Sequence, residues 1–113
     1  MRWPPRSVRH IGTRRARYPD DADEVDLAPE WATQAAVDVF AAYSLTRSGG
    51  FRATGWSPDA PPASWSRRPG RVLRVVLDPD DLEAGEWRGV TAMPASQKAA
   101  EFYWRRRTGS GVA

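Results

Sequence analysis

One hundred and thirteen residues, 41% of them hydrophobic, suffice for one domain with a modest core and leave no room for a second. The absence of cysteine excludes disulfides, thiolate zinc sites and cysteine nucleophiles, and the single histidine, His10, excludes histidine pairs and multi-histidine metal sites. The net charge of +3 rests on arginine, with Lys98 the one lysine, and guanidinium forks suit phosphate or carboxylate partners.

Any catalysis must therefore come from other groups, and neither a metal nor a cofactor is expected. No apolar run approaches the ~20 residues of a membrane span, and the N-terminal arginines lack the apolar stretch of a signal peptide. A cytoplasmic protein with no membrane partner is the expectation, with RNA, DNA or an acidic protein as natural partners.

Along the chain, charge comes first in blocks. Residues 1–19 hold Arg2, Arg6, Arg9, Arg14, Arg15 and Arg17 and no acid, whereas 20–30 hold Asp20, Asp21, Asp23, Glu24, Asp26 and Glu30 and no base. Adjacent blocks of opposite sign read as a solvated arm or an intrachain pairing. Residues 1–28 are therefore expected to form a partly irregular arm that adds little to the core.

The pattern then turns helical. Pro29 suits a first turn, and Trp31, Ala35 and Val39, with Ala32, Ala36 and Phe40, recur at spacing four, which predicts a helix over 29–42. Two extended runs, 43–47 and 51–56, flank Ser48-Gly49-Gly50 and read as a hairpin. Residues 57–70, with Pro58, Pro61, Pro62, Pro69 and Gly70, form a loop.

The run 71–77 is the most β-prone of the chain, and Asp78-Pro79-Asp80-Asp81 is expected to stop it. A further strand over 86–92 precedes a helix opened by Pro94, with Ala95, Ala99, Phe102, Tyr103 and Arg106 on one face and an end near Arg107. The resulting class is α+β: a small antiparallel sheet of three or four strands, with helices before and after it packed on one face. The domain spans 29–107, and 108–113 read as a flexible tail.

Three arginines share strand parity with apolar or polar neighbours: Arg52 with Thr54 and Trp56, Arg74 with Val72 and Val76, Arg88 with Glu86 and Val90. If neighbouring strands align these faces, three guanidiniums converge on one sheet surface. RNA can be cut there without metal, because its 2′-OH attacks the adjacent phosphate once a proton is removed and the phosphorus oxygens are steadied. Arginine suits the second task. For proton transfer the available groups are Tyr103, Glu101, Lys98 and Glu86, with Tyr103 read as core and Glu101 and Lys98 as solvated; His10 serves only if the arm folds over the sheet.

Of the six tryptophans, Trp31 and Trp104 read as packing residues, while Trp56 and Trp65 flank the proline-rich loop and are the ones able to stack bases. Arg105-Arg106-Arg107 suits phosphates or an acidic partner, and equally complements a helix C-terminus.

The wording of 29–104 resembles the BrnT family of toxins. The resemblance is carried by Pro29-Glu30-Trp31-Ala32-Thr33-Gln34-Ala35-Ala36, Arg52-Ala53-Thr54-Gly55-Trp56-Ser57, Gly70-Arg71-Val72-Leu73-Arg74-Val75-Val76, Arg88-Gly89-Val90-Thr91-Ala92, Ala95-Ser96 and Tyr103. It implies a RelE-like two-layer domain, a ribonuclease serving as the toxin of a type II toxin–antitoxin pair, and a cognate BrnA-like antitoxin as partner. It also implies catalytic roles at Arg52 and Arg88, beside Arg74. The chain departs from the pattern at Met93, where the family usually carries arginine, at Ala99, where glutamate is common, and in the length of 57–70. The alternative is a non-catalytic binding module that uses the same arginines to hold nucleic acid or an acidic protein.

Overall fold

In the computed structural model, which describes residues 1–109, four strands form one antiparallel sheet: β1 Ala42–Leu45, β2 Phe51–Ser57, β3 Arg71–Asp81 and β4 Glu86–Pro94. Each pairs with its neighbour in sequence, so the order is β1-β2-β3-β4 and only turns and one loop are needed to connect them. The helices are α1 Pro5–Ile11, α2 Arg14–Arg17, α3 Pro29–Val37 and α4 Gln97–Thr108. The class is thus α+β, with helices before and after a four-stranded antiparallel sheet.

Strand alternation separates two faces. The inner face of β3 buries Leu73, Val75 and Leu77, which cluster with Ala53 and Ala92 of the flanking strands, with Ala32, Ala35 and Ala36 of α3, and with Ile11 and Leu27. Alanines on α3 let its backbone approach the sheet closely. At Gly55 a Cβ would lie 1.9 Å from the Ala35 carbonyl oxygen, so only glycine admits α3 at this distance.

On the outer face Val72, Ala95, Ala100 and Tyr103 form a second cluster, joined by Trp56, Trp65 and Trp104. Helix α4 lies over this end, its N-terminus capped by Ser96, whose Oγ accepts from the Ala99 N–H at 3.2 Å. The expectation of helices on one face describes α1 and α3; α4 takes the opposite one.

Residues 1–28 differ from expectation by packing into the core. Arg2 adds a parallel bridge to the β4 edge, its N–H donating to the Trp87 carbonyl at 2.8 Å and its own carbonyl accepting from the Gly89 N–H at 2.7 Å. The Trp3 indole lies on Gly89, where a Cβ would come within 2.4 Å of the ring, and its Nε1 donates to Thr33 at 2.9 Å. Few apolar residues are present in this segment, but Trp3, Ile11 and Leu27 are placed to count.

The charge blocks pair within the chain. Arg14 forms a two-pronged bond to Glu24 at 2.7 and 3.1 Å, with side chains only 11% and 6% exposed, and Asp26 accepts from the Arg15 N–H at 2.8 Å. Removing one member of so buried a pair strands the other charge, at a cost of about 3–5 kcal/mol.

Element ends also move. Helix α3 stops at Val37 instead of 42, because Asp38 turns extended and its carboxylate takes the N–H groups of Phe40 and Trp56. Strand β3 runs through Pro79 to Asp81, with its ladder shifted at Pro79/Asp81, so the expected stop becomes an irregular continuation. Strand β4 extends to Pro94, and α4 begins at Gln97. Of the expected tail, Thr108 belongs to α4 and 110–113 lie outside the described residues.

Candidate functional site: an arginine face on the sheet

The register decides where the three arginines point. Arg52 lies opposite Val76, and Thr54 opposite Arg74, so Arg52 and Arg74 share the outer face as diagonal neighbours, with Cα atoms about 7–8 Å apart. On the other side Arg74 pairs with Met93, which in a regular ladder would send Arg88 to the inner face.

A bulge reverses this. Val76 pairs with Thr91 but Leu77 with Gly89, so Val90 is an extra residue and the parity of β4 changes there. Arg88 then stands opposite Asp78 on the outer face. The structure therefore places Arg52, Arg74 and Arg88 on one face of three adjacent strands, with Arg88 opposite Asp78, four residues along β3 from Arg74.

Their environments differ. Arg52 is exposed, and Arg74 is half-buried with its Nε shielded from solvent and without a hydrogen-bond partner. Neither forms an ion pair among the described residues. Arg88 donates to Asp78 at 3.3 Å.

Arg2 joins the group through its bridge opposite Arg88 and binds Asp80 with Nε 3.1 Å from the carboxylate. That hydrogen bond holds the Asp80 carboxyl below its usual range. Nothing in the local residue pattern marks Arg2 or Asp78 as members of this face. Arg2 depends on the N-terminus adding to the sheet edge, and Asp78 on the strand continuing past its expected stop.

The proton-transfer groups lie elsewhere. Tyr103 is buried; its hydroxyl donates to Asp38 Oδ2 and accepts from Arg107 at 2.9 Å. Burial and the Asp38 bond push the phenol up to about 12, so it keeps its proton at neutral pH. His10 sits on α1, whose Ile11 packs in the inner-face cluster, so the arm does not carry it over the arginines. Burial and the nearby Arg17 and Arg14 lower its pKa. Glu101 bonds to Gln97 at 3.2 Å on the solvent side of α4, and Lys98 and Glu86 are exposed.

Asp38, Tyr103 and Arg107 instead form a clamp. Asp38 closes the β2 edge beyond the end of β1 by accepting from the Trp56 N–H at 2.9 Å, and Tyr103 ties α4 to it. The Arg107 guanidinium lies 4.7 Å from the Phe40 ring centre, 4.9 Å from Trp56 and 5.2 Å from Trp104. Trp56 is thus half-covered and bonded through Nε1 to the Pro69 carbonyl at 2.9 Å, rather than open to bases as expected.

Among the described residues no group of three or more His, Cys, Asp or Glu side chains is arranged to hold a metal ion, and no helix is long and apolar enough to cross a membrane. No family model, curated protein or solved structure matches the chain.

Proposed function

We propose that this chain is the toxin of a toxin–antitoxin pair, a RelE-like, BrnT-type ribonuclease of the cytoplasm that grips RNA on the outer face of its sheet. One observation carries the reading: Arg52, Arg74 and Arg88 occupy adjacent strands on the face whose other end α4 covers, and two of them have no ion-pair partner among the described residues. Guanidiniums so placed bind non-bridging phosphate oxygens and stabilise the charge that develops as the 2′-OH attacks phosphorus. Asp78, beside Arg88, is a carboxylate of this face able to take the 2′-OH proton; the P–O5′ bond then breaks, leaving a 2′,3′-cyclic phosphate and a 5′ oxygen that takes its proton from water. A BrnA-like antitoxin with acidic groups would neutralise the protein by covering the same arginines.

A specific observation favours a second reading, a non-catalytic module that holds RNA: Tyr103 is locked in its clamp and His10 lies on the other layer. The two readings separate on one experiment. Purified protein is incubated with a labelled transcript, and expression is induced in growing cells. Cutting and growth arrest, both lost in Arg52→Ala and Arg88→Ala, support the nuclease; binding without cutting or arrest replaces it by the module.

A further inference from the structure

The loop 58–70 and helix α4 border an open cleft of about 450 Å³ that the sheet face does not share. Trp65, Arg67 and Arg68 line it from the loop, and Trp104 and Arg105 from the helix, with Glu101 the one acid at its wall. Trp65 packs against the cluster of Val72, Ala100 and Tyr103, which holds the loop to the helix and keeps the cleft formed.

Arg67, Arg68 and Arg105 are exposed and make no ion pair among the described residues. The Arg68 guanidinium stands 4.1 Å from the Trp104 ring centre, a planar cation that a base would replace on this indole as Arg68 turns to a phosphate. The volume falls within the roughly 300–1,000 Å³ of small-ligand pockets, enough for one nucleotide.

We propose that this cleft binds single-stranded RNA, seating one base against the Trp65 and Trp104 indoles and the flanking phosphates on Arg67, Arg68 and Arg105. Two indoles beside three unpaired guanidiniums match the alternation of base and phosphate along a strand. An acidic peptide would use the guanidiniums and leave the indoles idle. None of these residues belongs to the sheet face, so the cleft binds whether or not RNA is cut there.

The test uses the full chain and a labelled oligouridine of about eight nucleotides, followed by fluorescence anisotropy across a salt series. The doubly substituted Arg67→Ala/Arg105→Ala protein is expected to bind about tenfold more weakly, with a salt slope reduced by about 1.4 for two lost phosphate contacts. Trp65→Leu is expected to lower affinity for oligouridine about tenfold while leaving an abasic oligomer of equal length unaffected.

If Trp65→Leu fails to fold, photocrosslinking of 5-bromouridine oligomers to the wild-type chain decides, with crosslinks at Trp65 or Trp104 expected. The proposal is overturned by unchanged affinity in the arginine variant, by abasic and oligouridine strands binding the wild type equally, or by polyglutamate displacing the RNA at equal concentration. Arg52→Ala/Arg74→Ala should abolish cutting yet keep the preference for oligouridine over the abasic strand. Absence of cutting by the wild-type protein, with that preference intact, therefore counts against the sheet face and supports the cleft.

Discussion

Truncating Ile11 tests whether the arginine-rich N-terminus belongs to the folded unit. Ile11 is 0% exposed and sits among Leu27, Ala32, Leu73 and Val75, where α1 meets the inner face of the sheet. Ile11→Ala removes buried carbon and leaves a cavity that small neighbours on α3 are too rigidly placed to fill. The cost for such a change is about 2–5 kcal/mol, a large part of a total stability of roughly 5–15 kcal/mol. At about 4 °C per kcal/mol for a domain of this size, the melting temperature should fall by about 10 °C or more. Val39→Ala, at a side chain 89% exposed, is the control and should stay within about 0.5 kcal/mol of wild type. Thermal unfolding followed by circular dichroism reads both. If Ile11→Ala melts within about 2 °C of wild type, the N-terminal segment is a loose arm after all.

Val75→Asp places a carboxylate at a position 0% exposed in the middle of β3, with no partner to receive it, and should prevent folding; a soluble variant with a cooperative melt would contradict the sheet assignment. Acid stability should depend on Asp38. Burial alone would raise its pKa, but hydrogen bonds from Tyr103 and the Phe40 and Trp56 N–H groups, with Arg107 nearby, hold it below the usual carboxylate range. A carboxyl lowered in the folded state stabilises above its unfolded pKa of about 3.9, and the contribution is lost as pH falls through the folded value. Urea midpoints should therefore fall below about pH 4, and Asp38→Asn should make that fall shallower; an unaltered acid profile would show that the clamp does not hold this charge.

The sheet was legible because its signals are local: the β-branched, apolar run Arg71–Leu77, glycines between the hairpin runs, and prolines that keep 58–70 out of the ladder. The N-terminal segment was not, since its few apolar residues matter only through distant partners, Ile11 with the sheet and Trp3 with Gly89. Helical periodicity ran on past Val37 because Val39 and Phe40 kept the spacing, while the stop came from Asp38 bonding residues 18 and 65 positions away.

The arginine face was legible only in part. Parity linked Arg52, Arg74 and Arg88, but whether β4 presents Arg88 with the others turned on the bulge at Val90, a feature of pairing rather than of sequence. Arg2 and Asp78 were hidden for the same kind of reason.

In the proposed ribonuclease, Arg52 and Arg74 on the outer face hold RNA phosphates for cleavage. Arg52 is the cleanest probe, being exposed and outside any ion pair among the described residues, so Arg52→Ala should leave the urea midpoint unchanged. Single-turnover cleavage of a labelled transcript by purified wild type and Arg52→Ala is the measurement. The rate is expected to be at least about 100-fold lower in the variant, on the scale of losing one charge-stabilising donor. Equal rates in the two proteins, or no cleavage by wild type under any salt condition in which it binds RNA, would contradict it.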